Sequence, residues 1–225
     1  MNSTGDHATL MDRTYRNQRY IYGFSRKYYL FGRDRLIAEL ALKSGDSLVE
    51  IGSGIAQNLI RTARKYPGVE LYGLNASAEM LKSARHAVER AGLCSRIHVR
   101  LGLAEQLHPD VFGRTRPFDH AVFSYSLSMI PDLNQVLREA RESVGLEGRI
   151  HIVDFGDLTG LGRIGHTVLT KWLQLFHVSP RVAILRSLES ASHGGGTQNV
   201  EFSMLPARYA FIRSGSGAMI DRLVP

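Results

Sequence analysis

The chain is short of the residues that build disulfide or metal frameworks. Among 225 residues there is one cysteine, Cys94, which excludes an intrachain disulfide and a cysteine-based metal cluster and fits a reducing compartment. No apolar run approaches the roughly 20 residues that cross a bilayer. The first ten residues contain Asp6 and His7 and lack the apolar centre of a signal peptide. A soluble cytoplasmic protein is therefore expected. Internal repeats and low-complexity tracts are also lacking, which excludes solenoids and linker-like chains. With 44% apolar and 22% charged residues the composition is globular, and the length suits one domain, 1–225, with a sizeable core.

Acidic charge is the other scarcity. The formal net charge is +7, which favours an anionic partner such as a membrane surface or nucleic acid. The excess gathers near the start. Residues 11–35 hold seven basic side chains (Arg13, Arg16, Arg19, Arg26, Lys27, Arg33, Arg35) against Asp12 and Asp34, interleaved with five tyrosines, Phe24 and Phe31. Basic groups beside amphipathic aromatics suit a lipid headgroup layer. Ile21, Phe24, Tyr28 and Phe31 fall on one helical face. Gly23 and Gly32 each weaken a helix by about 1 kcal/mol relative to alanine, so short helices forming a lid over 11–44 are expected.

The middle of the chain alternates β-rich runs with helical patterns, as a parallel sheet built from crossover units requires. Strands are expected at Ser47–Ile51, Glu70–Leu74, Ile97–Leu101, Ala121–Ser124 and Arg149–Phe155. Helices fall between them: one after the Gly52–Gly54 turn to about Lys65, one capped by Ser77 and running to Ala91, and one from about Asn134 to Val144. Beyond the fifth strand come helices around Thr167–Phe176 and Arg181–Ser190, a Gly194–Gly196 turn, and a strand pair at Val200–Met204 and Arg208–Arg213. The fold class is α/β, a doubly wound, mostly parallel sheet with a terminal antiparallel strand pair. Residues 45–155 form its ligand-binding core and 156–225 its C-terminal helices and strand pair.

Functional signal concentrates at Val49-Glu50-Ile51-Gly52-Ser53-Gly54-Ile55-Ala56-Gln57-Asn58. Glycines after a buried strand let a ligand approach the backbone, and the next helix presents free N–H groups. In open α/β sheets ligands sit outside the carboxyl ends of the strands, at this kind of turn. The G-x-G-x-x-G dinucleotide fingerprint is broken, since Gln57 stands where its last glycine belongs. The pattern E-I-G-S-G-I-A-x-N instead resembles motif I of the class I S-adenosylmethionine-dependent methyltransferases, usually E/D-x-G-x-G-x-G. The resemblance implies S-adenosylmethionine as cofactor, leaving as S-adenosylhomocysteine. It places Glu50, Gly52, Ser53 and Gly54 at the donor. Ala56 replaces the third glycine, at a cost on the order of 1 kcal/mol if φ is positive there. Asn75 and Ala76 follow the second strand, where relatives carry an acid for the ribose hydroxyls. Asn75 keeps an acceptor without the charge, so Asn75→Asp is expected to tighten donor binding by about 1 kcal/mol. Leu103, Ala104 and Glu105 occupy the G-D-A-E segment of relatives, and Ser124 and Tyr22 complete the implied donor set.

Outside the donor motifs, Tyr15–Ile37, Phe123–Pro131 (FSYSLSMIP), Val153–Asp157 (VDFGD) and Trp172–Arg181 (WLQLFHVSPR) are similar to the bacterial betaine-lipid N-methyltransferases, which trimethylate the amine of diacylglyceryl homoserine. That similarity implies a lipid substrate at an anionic membrane surface, peripheral attachment, and no role for metal or nucleic acid. The methylated amine must arrive neutral, so a proton acceptor helps; Tyr28 and His177 are the catalytic candidates, with His151, Asp154 and Tyr29 also available. Arg26 or Arg181 could grip the substrate carboxylate in a bidentate fork, with Tyr29 beside them. A phosphatidylethanolamine or other small-amine N-methyltransferase, a quinone C-methyltransferase and a non-catalytic donor-binding relative share parts of this pattern.

Overall fold

The computed structural model describes residues 31–145, 147–174 and 201–217, together with 182, 185, 186 and 220. Its strands are β1 (Ser47–Ile51), β2 (Glu70–Asn75), β3 (Ile97–Leu101), β4 (His120–Ser124), β5 (Arg149–Phe155), β6 (Glu201–Met204) and β7 (Ala210–Ser216). Its helices are α1 (Arg33–Glu39), α2 (Gln57–Lys65), α3 (Ala78–Arg90), α4 (Leu133–Val144) and α5 (Gly162–Gln174). One seven-stranded sheet runs in the order β3-β2-β1-β4-β5-β7-β6. Its first five strands are parallel. β7 is antiparallel to both neighbours, β5 and β6. The expected terminal pair thus exists, but its second strand inserts against β5 and leaves β6 at the edge.

β1 and β4 are buried along their whole length, the pattern of central strands covered on both faces. Period two then divides the core. Leu48, Val122, Val153 and Phe155 pack under α1, α2, α3 and α5. Val49, Ile51, Phe123, Ile150 and Ile152 face the other way, under α4. Two of the helices have a local cause at their starts. Ser77 Oγ accepts from the Met80 N–H at 3.3 Å to start α3, whose Leu81, Ala84 and Val88 turn inward. Asp132 accepts from the Gln135 N–H at 3.0 Å to start α4, which buries Val136, Leu137, Ala140 and Val144.

Two elements start two or more residues from the expected place. α5 begins at Gly162, five residues before the sequence pattern suggests. Gly162 and Gly165 are poor helix formers, and packing of Leu169, Trp172 and Leu173 against the core carries that turn. β7 begins at Ala210 because Pro206–Arg208 form a tight turn with Ala207 at φ 57° and Arg208 at φ 51°. Most of the helix expected around Arg181–Ser190 and most of the 11–44 lid lie outside the described residues; 182, 185 and 186 are helical. No described helix is long and apolar enough to cross a membrane.

Candidate donor cleft

The chain leaves β1 for β2 on one side and β4 lies on the other, so the crevice of this sheet opens at the carboxyl ends of β1 and β4. The glycine turn stands there. Gly52 and Gly54 have φ of 77° and 56°, and the N–H groups of Gly52 and Ser53 both donate to Leu74 O, at 2.9 and 3.1 Å. A Cβ on Gly52 would lie 2.7 Å from Ser126 Cβ. Conformation and close approach therefore both require glycine. Ala56 does adopt the left-handed region, φ 61° and ψ 21°. The cost there, about 1–2 kcal/mol, is offset in part by burial of its methyl group, worth about 0.8 kcal/mol.

Seven of the expected donor residues meet at one cleft: Gly52, Gly54, Asn75, Ala76, Leu103, Ala104 and Glu105. It encloses about 580 Å³ of empty space, open solvent included. Sequence reasoning missed other parts of its wall, among them Met80 from α3 and Ser126, Met129 and Ile130 from the loop after β4. The loop residues arrive through the pairing of β1 with β4, which local pattern does not announce. Ser126 Oγ is buried without a hydrogen-bond partner among the described residues.

Three expected donor residues sit elsewhere. Ser53 turns its side chain inward, so that a Cβ on Gly73 would meet Ser53 Oγ at 2.7 Å. Glu50 and Ser124 point to the α1 face because side chains alternate along a strand. There Asn58 Nδ2 donates to Glu50 Oε1 at 2.7 Å and to Ser124 Oγ at 3.1 Å. Glu50, Asn58 and Ser124 bound a second, narrow cavity beneath α1, which Arg33 also lines. Asn58 Oδ1 is buried there with no hydrogen-bond partner among the described residues. Asn58 belongs to this polar group, and its position within the glycine motif could have marked it.

Asn75 corrects an expectation. Its Nδ2 donates to Gly54 O at 2.8 Å, and its Oδ1 accepts the Ser77 N–H at 3.2 Å. The side chain ties the glycine turn to the start of α3 and needs a donor as well as an acceptor. An aspartate there would set a carboxylate oxygen against the Gly54 carbonyl, which opposes the gain expected of Asn75→Asp.

The described titratable groups sort by environment. His151 is not at the cleft. It bonds His120 (Nε2 to Nδ1, 3.0 Å) and Ser214 (Nδ1 to Oγ, 2.8 Å), while His120 Nε2 lies 3.4 Å from Asp46. Burial lowers the pKa of both rings, His151 far below the usual value. Asp154, at the end of β5, is buried, and burial raises its pKa to about 6 against hydrogen bonds from Phe155, Ser128 and Leu127. Asp157 is held down at about 2 by Arg208, whose Nε donates to both carboxylate oxygens at 2.9 and 2.8 Å. The Tyr125 hydroxyl donates to Phe31 O, and burial raises its pKa. No group of three His, Cys, Asp or Glu side chains among the described residues could hold a metal. Tyr22, Arg26, Tyr28, Tyr29, His177 and Arg181 lie outside the described residues.

Residues 49–150, a little under half the chain, match the family described as "Methyltransferase domain". The chain is 30% identical over 121 residues to methyltransferase GfsG of Streptomyces halstedii, which covers 54% of this chain and 42% of the relative. Among solved structures, the apo form of the S-adenosylmethionine-dependent methyltransferase SibL superposes with a TM-score of 0.62 at 18% identity, over 88% of this chain and 58% of that one. The Haemonchus contortus phosphoethanolamine N-methyltransferase 2, in complex with S-adenosylmethionine, gives 0.58 at 18%, over 76% and 38%. The chain thus spans about half the length of the relatives it matches. The matched segment contains the end of β1, all of β2 to β4, the glycine turn and every residue named around the cleft. Residues 49–150 are accordingly similar to a methyltransferase domain, and the sheet has the Rossmann-like fold of the solved methyltransferases it superposes on.

Proposed function

We propose that the protein is an S-adenosylmethionine-dependent N-methyltransferase acting on the amine of a membrane-lipid headgroup, with diacylglyceryl homoserine as the substrate and its trimethylated betaine lipid as the product. The observation that carries the donor half is the cleft at Gly52, where a left-handed glycine turn, an apolar wall and a buried, unpartnered Ser126 hydroxyl converge. The residues fit the donor. Gly52 and Gly54 admit a ligand to the backbone, Asn75 Oδ1 has a second lone pair for a ribose hydroxyl, and Met80, Leu103 and Ile130 offer apolar surface to a flat base. When bound, S-adenosylmethionine supplies a methyl group already activated by its sulfonium.

What remains for the protein is alignment, which can contribute roughly 7–11 kcal/mol, and delivery of a neutral amine. Tyr28 or His177 would take the amine proton, while Arg26, Arg181 and Tyr29 would hold the homoserine carboxylate. The acceptor half rests on the four sequence blocks similar to betaine-lipid enzymes. A two-chain lipid does not readily leave a bilayer, so the protein works at the membrane surface. Residues 11–35 are the proposed contact, each basic group adding about 1 kcal/mol near an anionic leaflet.

Donor binding is measured first, by calorimetry. Ala76→Phe, which places a ring at the rim of the cleft, should abolish binding with little change in melting temperature; unchanged affinity moves the donor elsewhere. Methyl-labelled donor is then offered with a panel of lipids. Label in diacylglyceryl homoserine supports the reading, while label confined to phosphatidylethanolamine or a quinone replaces the substrate. Absence of donor binding by the unaltered protein rejects the enzyme altogether. The protein should also pellet with anionic vesicles and be released in 1 M salt, where screening shortens to about 3 Å.

A further inference from the structure

Asp154 is the last polar residue of β5. It is 2% exposed, and its side chain emerges on the α4 face with Ile150 and Ile152. Its two oxygens are engaged by different pieces of backbone. Oδ1 accepts the Phe155 N–H at 2.8 Å, and Oδ2 accepts the Ser128 N–H at 3.2 Å, with the Leu127 N–H also directed at the carboxylate. The second bond reaches across to the single helical turn Leu127–Met129 in the loop after β4. That turn forms one wall of the cleft, contributing Met129 and continuing into Ile130; Ser126, just before it, has its Cβ where a Gly52 side chain would stand. A fully buried carboxylate is costly unless its lone pairs are used.

We infer that Asp154 is a positioning residue for the donor cleft: as a carboxylate it clamps the Leu127–Met129 turn in its ligand-ready place, and on gaining a proton it lets the turn go. A protonated carboxyl turns one acceptor into an O–H donor. The proton belongs on Oδ2, whose bond to the Ser128 N–H is the longer, and the neutral hydroxyl oxygen it leaves there is a weaker acceptor, so that bond loosens. The change falls near neutral pH, because burial brings this group's pKa to about 6. The groups around it are consistent with a single titrating site. Tyr125, in the first position after β4, is kept neutral by burial. On β7, Arg213 stands opposite Ile152, its guanidinium 5.9 Å from the centre of the Phe202 ring. His151 projects to the opposite face of the sheet, toward His120. Leu127–Met129 itself carries no charged side chain. Binding and protonation are then reciprocal: what holds the turn in place lowers the proton affinity of Asp154.

The role rests on the donor reading for its consequence but not for its test. Amide hydrogen exchange is followed at Leu127, Ser128 and Met129 in the protein alone, at pH 7.5 and pH 5.0, after correction for the intrinsic pH dependence of exchange. These amides should lose protection on acidification, relative to those of β1 and β4. Equal protection at the two pH values overturns the clamp, whether or not any donor binds. In calorimetry, the dissociation constant for S-adenosylhomocysteine should rise about tenfold between pH 7.5 and 5.0, within the usual range for coupled sites. Asp154→Asn keeps an oxygen for Phe155 and sets its NH2 against the Ser128 N–H, so it mimics the protonated form. Its dissociation constant should be raised at pH 7.5 and flat with pH. A variant that keeps the wild-type constant and pH dependence refutes the inference. Failure of the unaltered protein to bind S-adenosylhomocysteine at any pH rejects the donor reading, and the exchange measurement still decides for or against the clamp.

Discussion

At the position of Asn75, where relatives carry an acid, the amide satisfies two backbone partners of opposite character, Gly54 O and the Ser77 N–H. Flipping the amide would oppose oxygen to oxygen and N–H to N–H, so its orientation is fixed by both contacts. Asn75→Asp keeps the bond to Ser77 and replaces the bond to Gly54 with repulsion, inside a site only 6% exposed. The expected result is a loss of about 1–2 kcal/mol in stability and weaker donor binding, the opposite of what charge alone suggests. Urea denaturation and calorimetry on the same variant check both parts. Tighter binding would mean that the ribose-facing charge outweighs the lost tie. The residue type at this site was legible in the sequence, but its partners were not, because Gly54 reaches it only after β1 and β2 have paired.

Among the elements, α2 is short, nine residues with its last carbonyls directed at the loop before β3. Arg96 fills that end. Its guanidinium donates to Ala63 O at 3.0 Å, Tyr66 O at 2.7 Å and Val69 O at 3.3 and 3.1 Å, satisfying helix-terminal groups with a charge of the favourable sign. Arg96→Ala should cost about 2–3 kcal/mol, the range for hydrogen bonds to a charged group. Arg96→Lys should recover only part, since a point charge cannot serve three carbonyls in a planar fork; full recovery would reduce the contact to charge alone. Nothing in the local pattern marked Arg96. What the pattern did mark were β1, β3 and β5, whose ends match the expected residues because β-rich runs there meet turn signals. The starts of α5 and β7 were missed where packing overrides glycine propensity or a left-handed turn delays the strand. The cleft divides in the same way. Its glycine turn and second-strand end were legible, whereas Ser126, Met129 and Ile130 come from a loop that joins the site only through the neighbouring β4.

Across the whole molecule, buried titratable groups at opposite ends of the sheet pull stability in opposite directions with pH. At the amino end, burial lowers the pKa values of His120 and His151 from 6.5 and favours both rings neutral. With His120 Nε2–H turned to Asp46, neutral rings are satisfied when His120 Nδ1 accepts from His151 Nε2 and His151 Nδ1 accepts from the Ser214 hydroxyl. Their contribution is intact above about pH 6.5. Below it the unfolded chain takes up protons that the native rings refuse, and each histidine costs up to about 1.4 kcal/mol per pH unit. Asp154 acts oppositely. Its pKa is raised from 3.8 to about 6, so the native state binds its proton first and gains stability as the pH falls from 6 toward 4. Asp157, held at about 2, begins to lose its stabilising effect only when the pH falls below the ordinary carboxylate value and on through 2. Between pH 6 and 4, therefore, Asp154 offsets part of the histidine loss. Asp154→Asn removes that offset and should steepen the decline by up to about 1.4 kcal/mol per pH unit. Urea midpoints at pH 7.0, 6.0, 5.0 and 4.5 decide the matter: the wild type and the variant should diverge below pH 6, and parallel profiles would show that Asp154 does not take up a proton in that range.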